Sequence, residues 1–411
     1  MIRSANRIAA AAAVIVVVSA AAVAAAPGDL DASFSMDGIA VVDFGGTSQE
    51  FQRGAPDGGK VVAVGGVDDD FAIARLRAGG APDVGFAGGD GRTTLDFGNE
   101  DFAYGVAVHP DSRISVVGFA NDAQGDGRVA VARFKRGGGL DTSFNGDGIM
   151  TTRSPDGVPV FGYDAVVQPD GKLVVVGETY DGAAGKFFAM RLKANGRIDR
   201  SFGGDGKVLV NPGPGEDGAW RVALTGTGRI VLAGWSDDGS GSNRRSVAVR
   251  LLPDGRRDRS FADNGIWVRD LSPGGDDLVV GLDLTDDDQI LLGVDLFSTS
   301  YDPHIVKLRK GGALDPRFGG GDSISSNWAD GYRLVDVEVR GDGEIVGTLV
   351  AAEIASFRLG CRGAPLTSYG TNGLVFTSTP MNAEAMYLDR QDRPVITGSF
   401  GGDPEVIRLQ S

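Results

Sequence analysis

The chain has 411 residues, 65 of them glycine, and a formal net charge of −15 at pH 7. Such a charge repels phosphate backbones and argues against nucleic acid as a partner, while glycine in this excess, without a collagen period, points to a fold of many tight turns. One cysteine, Cys361, excludes an internal disulfide, so the fold must rest on a large core, and two histidines, His109 and His304, are too few for a histidine-rich metal site.

At the N-terminus Arg3 and Arg7 precede an apolar run from Ile8 to Val23, broken only by Ser19 and closed by small residues up to Ala26. Residues 1–26 read as a secretory signal peptide, since the run is short for a membrane span of about 20 residues. Cleavage would leave a single domain over 27–411 with no membrane span, expected as a monomer that is secreted or held at a bacterial cell envelope.

From there the chain repeats itself. "LDASF" ends at Phe34, "PDVGF" at Phe86, "LDTSF" at Phe144, "IDRSF" at Phe202, "RDRSF" at Phe261, "LDPRF" at Phe318 and "PLTSY" at Tyr369. A period of about 50–60 residues means an array or a propeller. Each copy carries four strand signals in the same order. One follows the aromatic ("GIMTT" from 148, "GKVLV" from 206), and a partly apolar run comes next ("GVAVHPD" 105–111, "DAVVQPD" 164–170). Then come a Val/Ile-rich run ("KVVAVGG" 60–66, "KLVVVGE" 172–178) and a last one ("FAIARL" 71–76, "FFAMRL" 187–192). Short Val/Ile runs bounded by Gly, Asp and Asn read as strands, and nothing in 27–411 has a helical period. Four antiparallel strands in each of seven copies predict an all-β, seven-bladed β-propeller. The last copy ends on its fourth signal, "EVIRL" 405–409, while the first begins with a strand to spare, so residues 38–43 are expected to close the seventh blade.

The recurring aromatic is expected to be a wedge between blades, and the Asp-Gly or Asn-Gly after it to be a turn with positive φ at glycine. A basic residue precedes the repeat Asp by eight positions: Arg75 and Asp83, Arg133 and Asp141, Arg191 and Asp199, Arg250 and Asp258, Lys307 and Asp315, with Arg408 and Asp31 matched by closure. So many equivalent copies suit structural ion pairs at the blade junctions better than a ligand site. Arg358 meets Leu366 instead.

"GGLDTSFNGDG" 138–148 with "QPDGKLVVVG" 168–177 resembles the bacterial delta-60 repeat family, a β-propeller family of unknown function; the likeness covers about residues 28–411 and weakens in the sixth and seventh copies. The resemblance implies secreted or envelope-associated proteins and brings no catalytic residues with it.

No nucleophile elbow, zinc-protease helix or phosphate loop is present, so the chain is expected not to be an enzyme and to need no cofactor or metal. Calcium at Asp-rich turns such as 68–70, 145–148 and 285–289 is the one metal that the sequence raises, and solvated turns fit these better. Cys361 reads as a packed thiol. The loops between the third and fourth signals are long in blades 2–5 (120–128, 179–186, 236–245, 296–302) and short in blades 1, 6 and 7. With the connections 97–104, 158–163 and 215–220 they would raise one side of one face. Tyr180, Trp220, Trp235, Arg244, Arg245 and Tyr301 are the candidate ligand-binding residues there, for an extracellular glycan or protein. The alternative is a hydrolase or lyase acting on polysaccharide through paired carboxylates, drawn from Asp101, Asp217 and Asp277.

Overall fold

The computed structural model describes residues 26–180, 182, 184–319, 324–325 and 331–411. The expected signal peptide, Ala26 apart, and part of the turn in the sixth copy lie outside the described residues.

Among those residues the chain forms seven four-stranded antiparallel sheets arranged as the blades of a propeller. Blade 2 is typical. Its inner strand is Asp101–Val108, followed outwards by Ile114–Asn121, Gly127–Phe134 and Ile149–Thr152. The one helical element among the described residues is a 3-10 turn, Ala87–Gly89. Ring closure is as expected. Ile39–Val41 is the outer strand of blade 7, pairing Ile39 with Ile407 and Val41 with Glu405.

The core is not central. Buried apolar residues fall into seven clusters, each shared by two neighbouring blades. Both faces of the second and third strands are therefore covered, and runs such as Leu173–Val176 are buried throughout. Phe34, Phe86, Phe144, Phe202, Phe261, Phe318 and Tyr369 are all buried at these junctions.

Each wedge aromatic carries a cation on its face. Arg133 stands 4.6 Å above Phe144, Arg191 4.9 Å above Phe202, Arg250 4.6 Å above Phe261 and Arg408 4.7 Å above Phe34. The same guanidinium pairs with the repeat Asp at 2.9 Å in Arg133–Asp141, Arg191–Asp199 and Arg250–Asp258, and at 2.7 Å in Arg75–Asp83 and Arg408–Asp31. The repeat Ser closes the unit: Ser143 Oγ donates to Asp141 at 2.7 Å. Arg133, Arg191, Arg250 and Arg408 also donate to a carbonyl of the next blade (Ala194, Pro253, Lys310 and Ala78), so one side chain braces two blades. Gly148, at φ 96°, lets the chain turn so that its N–H reaches the Phe144 carbonyl at 2.8 Å; a Cβ there would meet Leu140 at 2.9 Å.

Four expectations need correction. Lys307 does not pair with Asp315: its ammonium donates to the Cys361 carbonyl at 3.2 Å, and Asp315 takes Arg317 at 3.2 Å, a lysine lacking the second arm that an arginine uses to reach both partners. Cys361 is exposed rather than packed. The inner strands start earlier than read, at Asp101, Val160 and Asp217, and absorb much of what looked like the connections 97–104, 158–163 and 215–220. The loops between second and third strands also shorten, to 122–126, 181–184, 238–243 and 298–300 in blades 2–5. Blade 5 is then no longer than blade 6 at 351–353, so the raised side comprises blades 2–4.

Candidate binding site at the channel mouth

The upper face carries these loops and the connections from each outer strand to the next inner strand. At this end of the channel every inner strand has one β-bulge. Its register jumps between Phe51 and Arg53, Ala103 and Gly105, Gly162 and Asp164, Ala219 and Arg221, Val279 and Gly281, Leu334 and Asp336, and Ala383 and Ala385. A bulge leaves one residue without a partner and re-aims its side chain. The seven bulged residues are Gln52, Tyr104, Tyr163, Trp220, Val280, Val335 and Glu384, and all seven line a single cavity of about 330 Å³.

The ring is lopsided. Blades 2–4 contribute its three aromatics, with Tyr104 and Tyr163 edge to face at 5.2 Å. Phe102, Phe119 and Phe161 back this wall, Phe102 lying 5.0 Å from Tyr104 and Phe161 5.3 Å from Phe119. The opposite side sets polar Gln52, Arg333 and Glu384 beside Val280 and Val335; Arg333 Nη2 donates to the Ala383 carbonyl at 2.8 Å and lies 3.5 Å from Glu384.

One residue further along the inner strands of blades 1, 3, 4 and 6, charges cross the channel. Arg53 of blade 1 lies 3.5 Å from Asp164 of blade 3 and 3.6 Å from Asp336 of blade 6. Burial pulls Arg221 down to about 10, with Arg53 adding repulsion, while Asp336 and Asp164 act to hold its charge. Deeper still, burial pushes both Asp283 and Glu338 up; Asp336 repels both and Asp283 repels Glu338, while the Val339 and Leu284 N–H groups and a bond with Glu338 oppose the rise at Asp283. The mouth is a cup with an ionic floor.

Beside the cup, between blades 3 and 4, Tyr163 donates to Glu178 at 2.7 Å. Burial raises Glu178 to about 7, aided by Glu216 and opposed by the Tyr163 bond and Arg244. Gly218 makes room here: a Cβ would meet Glu178 Oε2 at 2.3 Å and Trp235 Nε1 at 3.0 Å.

The six candidate ligand-binding residues are dispersed around this site. Trp220 is in the ring. Trp235 is buried, its ring covered by the Arg244 guanidinium at 4.1 Å. Arg245 is half-buried at the start of the same strand, Tyr180 is exposed at the end of the second strand of blade 3, and Tyr301 forms a separate pair with Phe297 at 4.9 Å. Sequence reasoning missed Tyr104, Tyr163, Glu178, Arg333 and Glu384. The signal was present as an aromatic four residues into an inner strand (Tyr104, Tyr163, Trp220), but the bulge hides the alternation that marks a strand.

Asp101, Asp217 and Asp277 do not form an acid–base pair at the mouth. They are 0%, 1% and 0% exposed. Each accepts a backbone N–H of the connection leading into its own strand: Phe97 to Asp101 at 2.8 Å, Gly213 to Asp217 at 3.3 Å and Leu271 to Asp277 at 2.5 Å. They are clamps, and burial raises them to about 7, 7 and 6. Asp70, Asp96 and Asp101 bring one oxygen each within 4.8 Å, well short of the six to eight or so that calcium takes, and both Asp101 oxygens already accept N–H groups. Asp68, in the same turn, is spent on Thr47 and Ser48.

A family model described as "Domain of unknown function (DUF5122) beta-propeller" matches residues 109–144, 168–202 and 226–261. These segments run from the inner hairpin turn to the wedge aromatic in blades 2–4, and they support a β-propeller repeat family; the narrower delta-60 name remains a resemblance. No curated protein sequence matches the chain. Among solved structures it is similar to the polysaccharide lyase Uly1 (TM-score 0.55, 10% identity, 93% of this chain and 96% of that one). It is also similar to YCF48 bound to D1 peptide (0.52, 11%, 94% and 98%) and to Sqt1 from Chaetomium thermophilum (0.51, 15%, 91% and 98%). At such identities the likeness is one of fold alone.

Proposed function

We propose that the protein is a secreted or envelope-associated binding module that takes a glycan or a protein segment into the channel mouth on its upper face. The carrying observation is the bulge ring, with aromatic Tyr104, Tyr163 and Trp220 on one side and polar Gln52 and Glu384, joined by Arg333, on the other. Aromatic faces suit the apolar face of a sugar or a peptide side chain, and the polar arc fixes orientation by hydrogen bonds. Structures of similar fold include one holding a peptide and one described as a polysaccharide lyase, so both ligand classes are within reach of such a face.

Co-sedimentation with the cell envelope of the source organism tests this reading. Wild type should be retained and a Tyr163→Ala/Trp220→Ala variant released, at equal melting temperature. Retention of both would move the contact to the blade sides or lower face, and retention of neither would defeat the proposal.

A second reading, cleavage of a polysaccharide, draws on one observation. Glu178, raised to about 7 and bonded to Tyr163 beside the cup, is poised for proton transfer near neutral pH. Turnover of soluble polysaccharide that disappears in Glu178→Gln would support it; turnover surviving that change would remove Glu178 from the chemistry.

A further inference from the structure

The seven wedge loops serve as controls for one another. The residue before the repeat Asp, or before Leu366 in the last copy, is apolar in six of them (Leu30, Pro82, Leu140, Ile198, Leu314 and Pro365), but in blade 4 it is Arg257. The backbone there is unchanged, since Arg257 bridges to Leu251 as Ile198 does to Leu192. Only the side chain departs from the pattern. Arg259, two residues on, is also exposed. Among the described residues the ion pairs of this loop are Arg256–Asp254, Arg250–Asp258 and Arg229–Asp258, and none uses Arg257 or Arg259.

Both arginines line two adjoining cavities on the side of the propeller. One, of about 910 Å³, lies between this loop and the outer strand of blade 3, Lys207–Val210; the other, of about 570 Å³, runs along the outer strand of blade 4, Ile266–Arg269. That strand is last in its sheet, so one edge has no strand against it, and its Ile266 and Val268 face the groove. In a chain of net charge −15, two uncommitted guanidinium groups beside an open strand edge form a local exception.

We infer that this groove binds an extended acidic peptide, added as a fifth strand to the outer edge of blade 4, with its carboxylates on Arg257 and Arg259. A free edge supplies main-chain donors and acceptors in the two-residue period of an extended chain. The guanidinium fork matches a carboxylate in two parallel bonds. No aromatic lines either cavity, so a sugar ring finds nothing to stack on.

The test is fluorescence anisotropy at low salt with a labelled octapeptide of alternating Val and Glu. Wild type should bind it. Arg257→Leu with Arg259→Thr, which restores the residues blade 2 carries at Leu140 and Thr142, should weaken binding about tenfold or more while leaving the melting temperature intact. Methylating alternate peptide amides should abolish binding. Equal affinity for the variant, equal affinity for a Val–Gln peptide, or no binding at all would overturn the assignment. Polygalacturonate displacing or outbinding the peptide would assign the groove to an anionic glycan instead.

Discussion

Arg358 sits over Tyr369 at 4.8 Å as its counterparts sit over phenylalanine, yet it lacks their acid. It is 8% exposed, and its Nε and Nη2 find no hydrogen-bond partner among the described residues. Its nearest carboxylate is Glu344, at 4.0 Å from Nη1. A buried charge without hydrogen bonds is costly. Leu366→Asp should supply the missing acceptor and raise stability by about 1–2 kcal/mol, read from denaturant melts; an unchanged or lowered midpoint would show that the junction has adapted to leucine. The reverse change, Asp141→Ala, strands Arg133 and should cost about 3–5 kcal/mol. These pairs were legible in the sequence because the eight-residue spacing recurs; the bond to the next blade was not, since Ala194 lies 61 residues from Arg133, and neither was the stacking, since spacing alone does not say that the guanidinium lies over the ring.

At the scale of elements, the second and third strands announced themselves because packing on both faces demands unbroken runs such as Val174–Val176. Inner strands hid their first halves. In blade 2 the sequence Phe102-Ala103-Tyr104-Gly105 places two aromatics and a glycine around a bulge, so a two-residue period fails at the position that faces the channel. The site was therefore legible as a side of a face, and of its ring residues only Trp220 was among the candidates. The closing strand was legible by counting. Beyond Ile39–Val41, the N-terminal segment gives blade 7 the Asp31 carboxylate for Arg408 and Arg393, at 2.7 and 2.9 Å. Deleting residues 28–44 should lower the melting temperature of the whole domain in one transition; an unchanged melt would refute closure.

Across the whole molecule two sets of buried carboxylates oppose each other. Burial raises Asp101, Asp217 and Asp295 to about 7 and Asp277 to about 6, from an ordinary 3.8. Groups raised on folding bind protons more tightly in the folded state, so their contribution is full below the ordinary value and is lost as pH rises towards 7. At the wedges burial acts in the same direction, but bonds from the repeat Ser and Arg, with Lys60 and the Gly85 N–H in place of Ser at Asp83, outweigh it, holding Asp31, Asp83, Asp141 and Asp199 below 3.8 and Asp258 at about 2. That contribution is present above the ordinary value and is lost as pH falls towards 2. Thermal melts should therefore peak at about pH 4–5 and decline on both sides; a stability that climbs steadily to pH 8 would contradict this assignment.

The same closure that distributes the core among seven junctions leaves the channel mouth free to be lined by whatever the bulges present. The most direct measurement is an array of defined glycans and peptides probed with the wild-type protein and with Tyr163→Ala/Trp220→Ala at matched melting temperature. Selective capture by the wild type and loss in the variant is the expected result. Capture that survives in the variant, or no capture by the wild type, would contradict a binding role for the bulge ring.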